Sequence, residues 1–166
     1  MEIHRVSRNL WGVFKHYHYL TGSIPSNGEC YVGFINQEPV AFVCFAKFPH
    51  PTNKNIYKIS RVVVLPHWQG YGIGMKMVEH LAENFYKGFD LRFTTTLPIV
   101  HNYLWKNKTK WVLKFQGVRK GEEAGKNAQM AKVVRECYLE TYQYNNDQVK
   151  DYKVLRTGCP IDKIKQ

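Results

Sequence analysis

Three glycines at alternate positions, Gly70, Gly72 and Gly74, mark the stretch of this sequence best suited to chemistry. Glycine lets a backbone turn tightly and approach a ligand closely, so that successive N–H groups can point into one small space. The residues that follow repeat apolar side chains at helical spacing, and the N-terminus of a helix has partial positive charge. The pattern therefore predicts a loop that binds a phosphate or pyrophosphate at the start of a helix.

The elements that must position this loop are a strand before it and a helix after it. The strand is rich in β-branched residues over 59–65 and stops at Pro66, which lacks a backbone donor. The helix is expected to end near Gly88, where a C-terminal cap belongs. Two other phosphate loops do not fit. A P-loop needs Lys-Ser/Thr where Met75-Lys76 stands here, and the dinucleotide fingerprint needs G-x-G-x-x-G rather than G-x-G-x-G.

The segment resembles the acyl-CoA signature of the GNAT N-acetyltransferase superfamily, Gln/Arg-x-x-Gly-x-Gly/Ala after a strand ending Val-x-Pro. Those positions here read Val64-Leu65-Pro66 and then Gln69-Gly70-Tyr71-Gly72-Ile73-Gly74. The resemblance implies that acetyl-CoA, or another acyl-CoA, is the cofactor, with its pantetheine arm along the strand and its pyrophosphate in the loop. The cofactor-binding residues that it implies are Val63, Val64, Leu65, Gln69, Gly70, Tyr71, Gly72, Ile73, Gly74 and Met75.

Acyl transfer to an amine also needs a base, because the amine is protonated in water. Many members of the superfamily have a glutamate base on the strand before the loop, but the sequence from Lys58 to Arg61 contains no acid. The candidates that remain are His18, His67 and His101, since histidine ordinarily titrates near neutral pH. His18 is the first choice, because the first helix and the loop after it border the acceptor site in this superfamily.

The leaving thiolate needs an acid, which the superfamily supplies as a tyrosine on the helix after the fifth strand. Pro98 is expected to open that helix, which covers 99–106. Tyr103 is the nearest match to the tyrosine acid, and Trp105 occupies a competing position. The Gly-Phe pair that usually begins the next strand is replaced here by Lys110-Trp111.

The resemblance implies a mixed α/β fold, the GNAT fold. Its central twisted sheet is mixed but largely antiparallel, with about six to seven strands and about four helices. A first helix is expected over 7–17, capped by Ser7, with the apolar stripe Leu10, Trp11, Phe14 and Tyr17. Strands are expected over 30–35, 39–48, 57–65, 90–96, 111–118 and 133–144. We expect one acyltransferase domain over 1–144 and a basic C-terminal tail or extension over 145–166.

The net charge of +11 fits an anionic cofactor, but much of the basic charge falls in one third of the chain. These residues are Lys106, Lys108, Lys110, Lys114, Arg119, Lys120, Lys126, Lys132 and Arg135. Aromatic residues interleave with them, which leaves a nucleic acid open as a partner. One alternative is therefore a nucleic-acid modifier similar to phage Mom-type proteins. The ending His18-Tyr19-Leu20 also resembles a phage- and ABC-ATPase-associated subgroup. A second alternative is a non-catalytic acyl-CoA-binding domain.

Several other features narrow the class of protein. The four cysteines, Cys30, Cys44, Cys137 and Cys159, form neither a CxxC pair nor a zinc-site spacing, so no metal site is expected. No apolar run is long enough to span a membrane, and the N-terminus lacks a secretory h-region. The leading expectation is a cytoplasmic enzyme, with a homodimer possible, that transfers acetyl from acetyl-CoA to a primary amine.

Overall fold

The computed structural model describes residues 1–18, 23–120 and 136–145, and the side chains of 117–120 and 136–139 are left aside. The described chain forms two compact units, Met1–Leu91 and Arg92–Asn145. The predicted tail lies outside the described residues apart from Asn145. So do 133–135 of the last predicted strand, and Tyr19 and Leu20 after the first helix. None of the described helices has the length and apolar character needed to cross a membrane.

The first unit is built on four antiparallel strands that pair in chain order. They are β1 (Glu2–Val6), β2 (Gly28–Ile35), β3 (Glu38–Lys47) and β4 (Ile56–Val64). β3 is buried along most of its length, because its apolar residues occupy both faces, as its pattern predicts. β1 was not expected from the sequence, because His4 and Arg5 interrupt its short apolar pattern.

A two-residue turn joins β2 to β3. Asn36 and Gln37 both have positive φ angles, 50° and 67°. Positive φ at both central residues is the geometry that matches the right-handed twist of paired strands, and asparagine tolerates it well. The turn therefore joins two of the predicted strands in a hairpin and fixes the register that puts Ile35 opposite Glu38.

The predicted first helix is broken into three short pieces. A 3₁₀ turn at Arg8–Leu10 leads into α1 (Trp11–Phe14), and a second 3₁₀ turn follows at Lys15–Tyr17. The Ser7 hydroxyl accepts from the N–H of Asn9 at 3.4 Å, as a capping residue should. Gly12, and the aromatic and histidine residues after it (Phe14, His16 and Tyr17), have low helix propensity, which accounts for the interruption.

Only half of the predicted apolar stripe faces the core. Trp11 and Phe14 are buried, and both rings pack on Phe42 of β3. Leu10 and Tyr17 are exposed, so the four residues do not form the single buried stripe that their spacing predicts. The break in helical geometry rotates them away from the side that Trp11 and Phe14 bury.

After β4, a 3₁₀ turn at Pro66–Trp68 leads to the glycine loop and then to α2 (Ile73–Asn84). Met77, Val78 and Leu81 of this helix are fully buried, at the spacing that the sequence predicts. The C-cap is Phe85 rather than Gly88. Gly88 does adopt a positive φ of 89°, but in the turn beyond the helix.

The second unit contains three antiparallel strands and one helix. β5 (Asp90–Thr95) reaches it from the first unit, α3 (Pro98–Lys106) follows, and β6 (Trp111–Lys120) and β7 (Glu136–Tyr144) form a hairpin-like pair. β7 lies between β5 and β6. Pro98 stands in the first turn of α3, as predicted. Seven strands, antiparallel within each unit, and flanking helices confirm the mixed α/β class.

Candidate functional site

The glycine loop begins with two residues in left-handed backbone conformations. Gly70 has a φ of 86° and Gly72 a φ of 72°. Side-chain-bearing residues rarely adopt these angles, so glycine is required at both positions. Gly72 is also the N-cap of α2, which means that the loop delivers the chain directly into the helix.

The start of α2 packs closely against β4. A Cβ atom at Gly74 would lie 3.0 Å from Cγ2 of Val64 and 3.1 Å from Cγ1 of Val62. The third glycine is therefore needed for close approach of helix to strand rather than for an unusual φ. At the other end of the loop, Nε2 of Gln69 donates to the carbonyl of Val64 at 2.9 Å. The loop is fixed to the end of β4 at both of its ends.

Backbone donors gather at this point. The first intrahelical bond of α2 runs from the N–H of Lys76 to the carbonyl of Gly72 at 3.1 Å. The N–H groups of Ile73, Gly74 and Met75 precede it, and helix geometry offers them no acceptor within the helix. A Cβ at Gly70 would meet nothing within 4 Å. The loop therefore presents donors and positive helix-dipole charge beside open space, which suits a phosphate or pyrophosphate.

The model of the acetyltransferase (GNAT) family matches residues 4–98, which is more than half of the chain and includes this loop. The chain belongs to the GNAT acetyltransferase family. The same match confirms the superfamily that the sequence resembles, although it does not bear on the phage-associated subgroup. No curated protein sequence matches the chain.

Solved structures show the same fold at low sequence identity. An acetyltransferase from Bacillus subtilis, in complex with CoA, is 14% identical with a TM-score of 0.57, covering 86% of this chain and 96% of its own. The ribosomal-protein-S18-alanine N-acetyltransferase from Escherichia coli is 12% identical with a TM-score of 0.59, covering 85% and 90%. A GNAT-family protein from Bacteroides thetaiotaomicron is 12% identical with a TM-score of 0.58, covering 88% of each chain.

The two catalytic residues predicted from the sequence lie in different units. His18 follows the second 3₁₀ turn of the first unit, where its ring meets the Trp11 ring edge-on at 5.8 Å between centroids. Tyr103 lies in the middle of α3 in the second unit and is partly buried. The predicted cofactor residues, 63–65 and 69–75, all fall in the first unit, at the end of β4 and the start of α2.

The stretch of β4 that lacks the family's glutamate is occupied by structural contacts. Arg61 donates to the carbonyl of Ser23 at 2.8 Å and to that of Ser60 at 2.7 Å. The ammonium of Lys58 lies over the Phe48 ring, 3.4 Å from its centroid. These cations bind backbone and aromatic groups, so this part of β4 is a poor source of a general base.

A histidine-centred cluster lies within the second unit. His101 of α3 contacts the carboxylate of Glu140 through Nδ1, and the same Nδ1 lies 2.7 Å from the Tyr142 hydroxyl. Tyr142 donates to Oε2 of Glu140 at 2.8 Å, and Gln116 donates to Oε1 at 3.1 Å. Glu140 is only 3% exposed, so these partners replace the water that a buried carboxylate needs.

The register of the strands explains how this cluster assembles. Thr95 of β5, Glu140 of β7 and Gln116 of β6 are direct partners across the three strands, so they share one face. Tyr142 lies two residues beyond Glu140, on that same face. α3 supplies His101, and its ring stacks at 25° on the ring of Trp105, one helical turn further on.

A cavity of about 400 Å³ opens beside this cluster. Pro98, Trp105 and Leu113 form apolar parts of its wall, and His101, Gln116 and Glu140 form polar parts. His101 is one of the three candidate bases expected from the sequence, whereas Glu140, Tyr142 and Gln116 were not expected at a site. The sequence shows only that Glu140 and Tyr142 are two residues apart and so share one face of a predicted strand. This pattern is too common to indicate a site.

Proposed function

We propose that this member of the GNAT family is an acyl-CoA-dependent N-acyltransferase that transfers an acetyl group from acetyl-CoA to a primary amine. The proposal rests on the glycine loop. Gly70 and Gly72 turn the backbone in left-handed conformations, and the first N–H groups of α2 follow at once. This arrangement suits the pyrophosphate of CoA, whose negative charge the helix N-terminus stabilises.

Particular residues would hold the cofactor. The N–H groups of 72–75 would bind the pyrophosphate, and the end of β4 from Val63 to Leu65 would bind the pantetheine arm. Acetyl-CoA would supply an activated thioester carbonyl. The solved Bacillus subtilis relative is in complex with CoA, and the Escherichia coli relative is an N-acetyltransferase of an alanine. The first supports a CoA cofactor for this chain, and the second supports an amine acceptor.

The roles predicted for side chains remain part of the proposal. Tyr103 would give its phenolic proton to the departing sulfur, and His18 is the base that the sequence favours. The nucleic-acid alternative rests partly on basic residues from Arg119 to Arg135, and their side chains lie outside the described residues. It therefore gains no support from the described geometry.

The test is a calorimetric titration of acetyl-CoA into the wild type and into Gly72→Glu. The new carboxylate would enter the anion site, so we expect affinity to fall by about a hundredfold or more. Gly12→Glu is the matched control, because Gly12 lies on an exposed face of α1 with nothing within 4 Å of its Cβ position. It should bind acetyl-CoA as the wild type does. Undiminished affinity in a folded Gly72→Glu protein would contradict the proposal.

A transfer assay with a panel of amines separates the enzyme from the non-catalytic alternative. Release of free CoA thiol in the presence of an amine is the expected result. Binding of acetyl-CoA without thiol release for any amine would instead favour a binding domain.

A further inference from the structure

The histidine in the second unit is held in one tautomer by its partners. The Tyr142 hydroxyl donates its only proton to Glu140, so the hydrogen between Tyr142 and His101 must come from Nδ1 of the histidine. The contact of Nδ1 with the Glu140 carboxylate requires the same hydrogen. Nε2 is then the ring atom with a lone pair, and it is the atom left to accept a proton from a ligand.

The cavity beside His101 favours a positive charge. Glu140 is the acidic group of its wall, and no lysine or arginine is among the described residues that line it. A carboxylate has about four lone-pair positions, and Gln116, Tyr142 and His101 occupy three of them. One acceptor position remains for a ligand. A second anion placed here would be repelled, whereas an ammonium group would be attracted.

The remaining walls favour an apolar stem. Pro98, Trp105 and Leu113 offer hydrocarbon and aromatic surface, and Trp105 already attracts one cation, since the Lys108 ammonium lies 4.4 Å from its ring centroid. Among the described residues, the charged and titratable groups around the ring of His101 are Glu140 and Tyr142 of β7. Lys108, in the turn after α3, lies on the far side of Trp105.

We propose that this cavity binds a primary amine on a short apolar stem, and that His101 takes the proton from its ammonium group. The ammonium enters as the counterion of Glu140. One proton then moves from the ligand nitrogen to Nε2 of His101, which leaves a neutral amine and an imidazolium stabilised by Glu140 and Tyr142. Glu140 and Tyr142 are positioning residues for His101. The identification of this amine as the acyl acceptor rests on the proposed function, but its binding does not.

The binding test uses 2-phenylethylamine as the probe, with 2-phenylethanol and phenylacetate as neutral and anionic analogues of the same shape. Calorimetry on the wild type should give the order amine, then alcohol, then acid. In Glu140→Gln the amine should lose about tenfold in affinity while the alcohol is unchanged, because a charged hydrogen bond becomes a neutral one. Equal affinity for amine and alcohol in the wild type would overturn the proposal.

Glu29→Gln is the matched control. Glu29 is also a carboxylate bound by a buried tyrosine, but in the first unit, so its loss should leave the preference for the amine intact. If Glu29→Gln weakened amine binding as much as Glu140→Gln did, the effect would be structural and the proposal would fail. Preference for the amine that persists in Glu140→Gln would also overturn it.

The role of the histidine is tested with His101→Gln. His101 is partly exposed, at 34% of its side chain, so the substituted protein should fold. Single-turnover transfer should fall about a hundredfold in His101→Gln, with acetyl-CoA affinity unchanged, and its pH profile should lose the acidic limb. Wild-type turnover in His101→Gln would remove the proton-accepting role. Absence of acetyl-CoA binding in the wild type would instead refute the proposed function and leave the preference for the amine standing.

Discussion

Each unit holds a buried tyrosine whose hydroxyl donates to a glutamate. In the first unit Tyr86 donates to Glu29 at 2.7 Å, and in the second Tyr142 donates to Glu140 at 2.8 Å. The surroundings differ. Tyr86 stacks on Phe45 with 4.2 Å between ring centroids, whereas Tyr142 and Glu140 meet a histidine beside a cavity. The same pair of side chains therefore packs a core in one place and orients a proton acceptor in the other.

The difference extends to how each unit contributes to the proposed reaction. The first unit offers backbone groups, because glycine conformations and helix N–H groups make its anion site. The second unit offers side chains, because His101 and Glu140 come from α3 and β7. A substitution that changes a side chain without moving the backbone should therefore have little effect on the first site and a large effect on the second.

Among three further variants that compare the two units, Tyr103→Phe should have the largest effect, a loss of turnover. It removes one hydroxyl from α3, so we expect turnover to fall about a hundredfold, while acetyl-CoA affinity stays within about twofold. Rapid-quench measurement of turnover and calorimetric titration of acetyl-CoA report the two quantities separately. Unchanged turnover would remove Tyr103 from the mechanism and leave its place to another acid.

Gly74→Val tests the first unit, whose anion site is built from backbone groups. A side chain here would press on Val62 and Val64 at the approach distances of 3.1 and 3.0 Å, so we expect a loss of about 1–3 kcal/mol in unfolding free energy. Gly12→Val meets nothing within 4 Å and should lose much less. Urea denaturation of both variants measures the difference. Equal losses would show that the helix and strand can separate without cost at Gly74.

Tyr86→Phe should give the smallest effect. Glu29 keeps contacts with Tyr31 and Arg5, so the unfolding free energy should fall by about 1 kcal/mol with no change in transfer rate. Burial, and then the neighbouring Tyr31 and Glu29, raise the pKa of the Tyr86 phenol above its ordinary value of 10.0.

The raised pKa gives this variant a second readout. Below the ordinary tyrosine pKa the phenol is protonated in both the folded and the unfolded chain. Above it only the unfolded chain ionises, so this contribution to stability is lost as the pH rises. The decline in stability above about pH 10 should be shallower in Tyr86→Phe than in the wild type. Parallel declines would show that Tyr86 is not the group responsible.

The sequence predicts the strand, glycine loop and helix well, because glycine determines backbone conformation directly. The positions of Gly70, Gly72 and Gly74 predict a tight turn at the start of a helix. The N-cap role of Gly72 and the close approach of helix to strand at Gly74 come from the structure. The sequence also predicts α2, whose apolar residues recur on one helical face, and β3, whose apolar residues occupy both faces of the strand. The family resemblance added the acyl-CoA cofactor, which no spacing rule could supply by itself.

The second site could not be predicted in the same way. Its residues come from α3, β6 and β7, and only the pairing of Gln116 and Thr95 with Glu140 brings their faces together. Strand register is a property of the folded sheet, and one sequence does not reveal it. The prediction of one continuous first helix was wrong for a different reason. Its apolar spacing was correct for Trp11 and Phe14, but low helix propensity broke it before Tyr17.

The turn at Asn36–Gln37 has a consequence for the order in which the first unit folds. It closes a loop of two residues between strands that pair along most of their length, so the entropy lost on closure is small. The hairpin of β2 and β3 can therefore form early and serve as a template. β4 can then add to its free side, where Ala41 and Val64 become partners. The strand that precedes the glycine loop would thus be placed by pairing with the strand just before it in the chain, before a ligand binds.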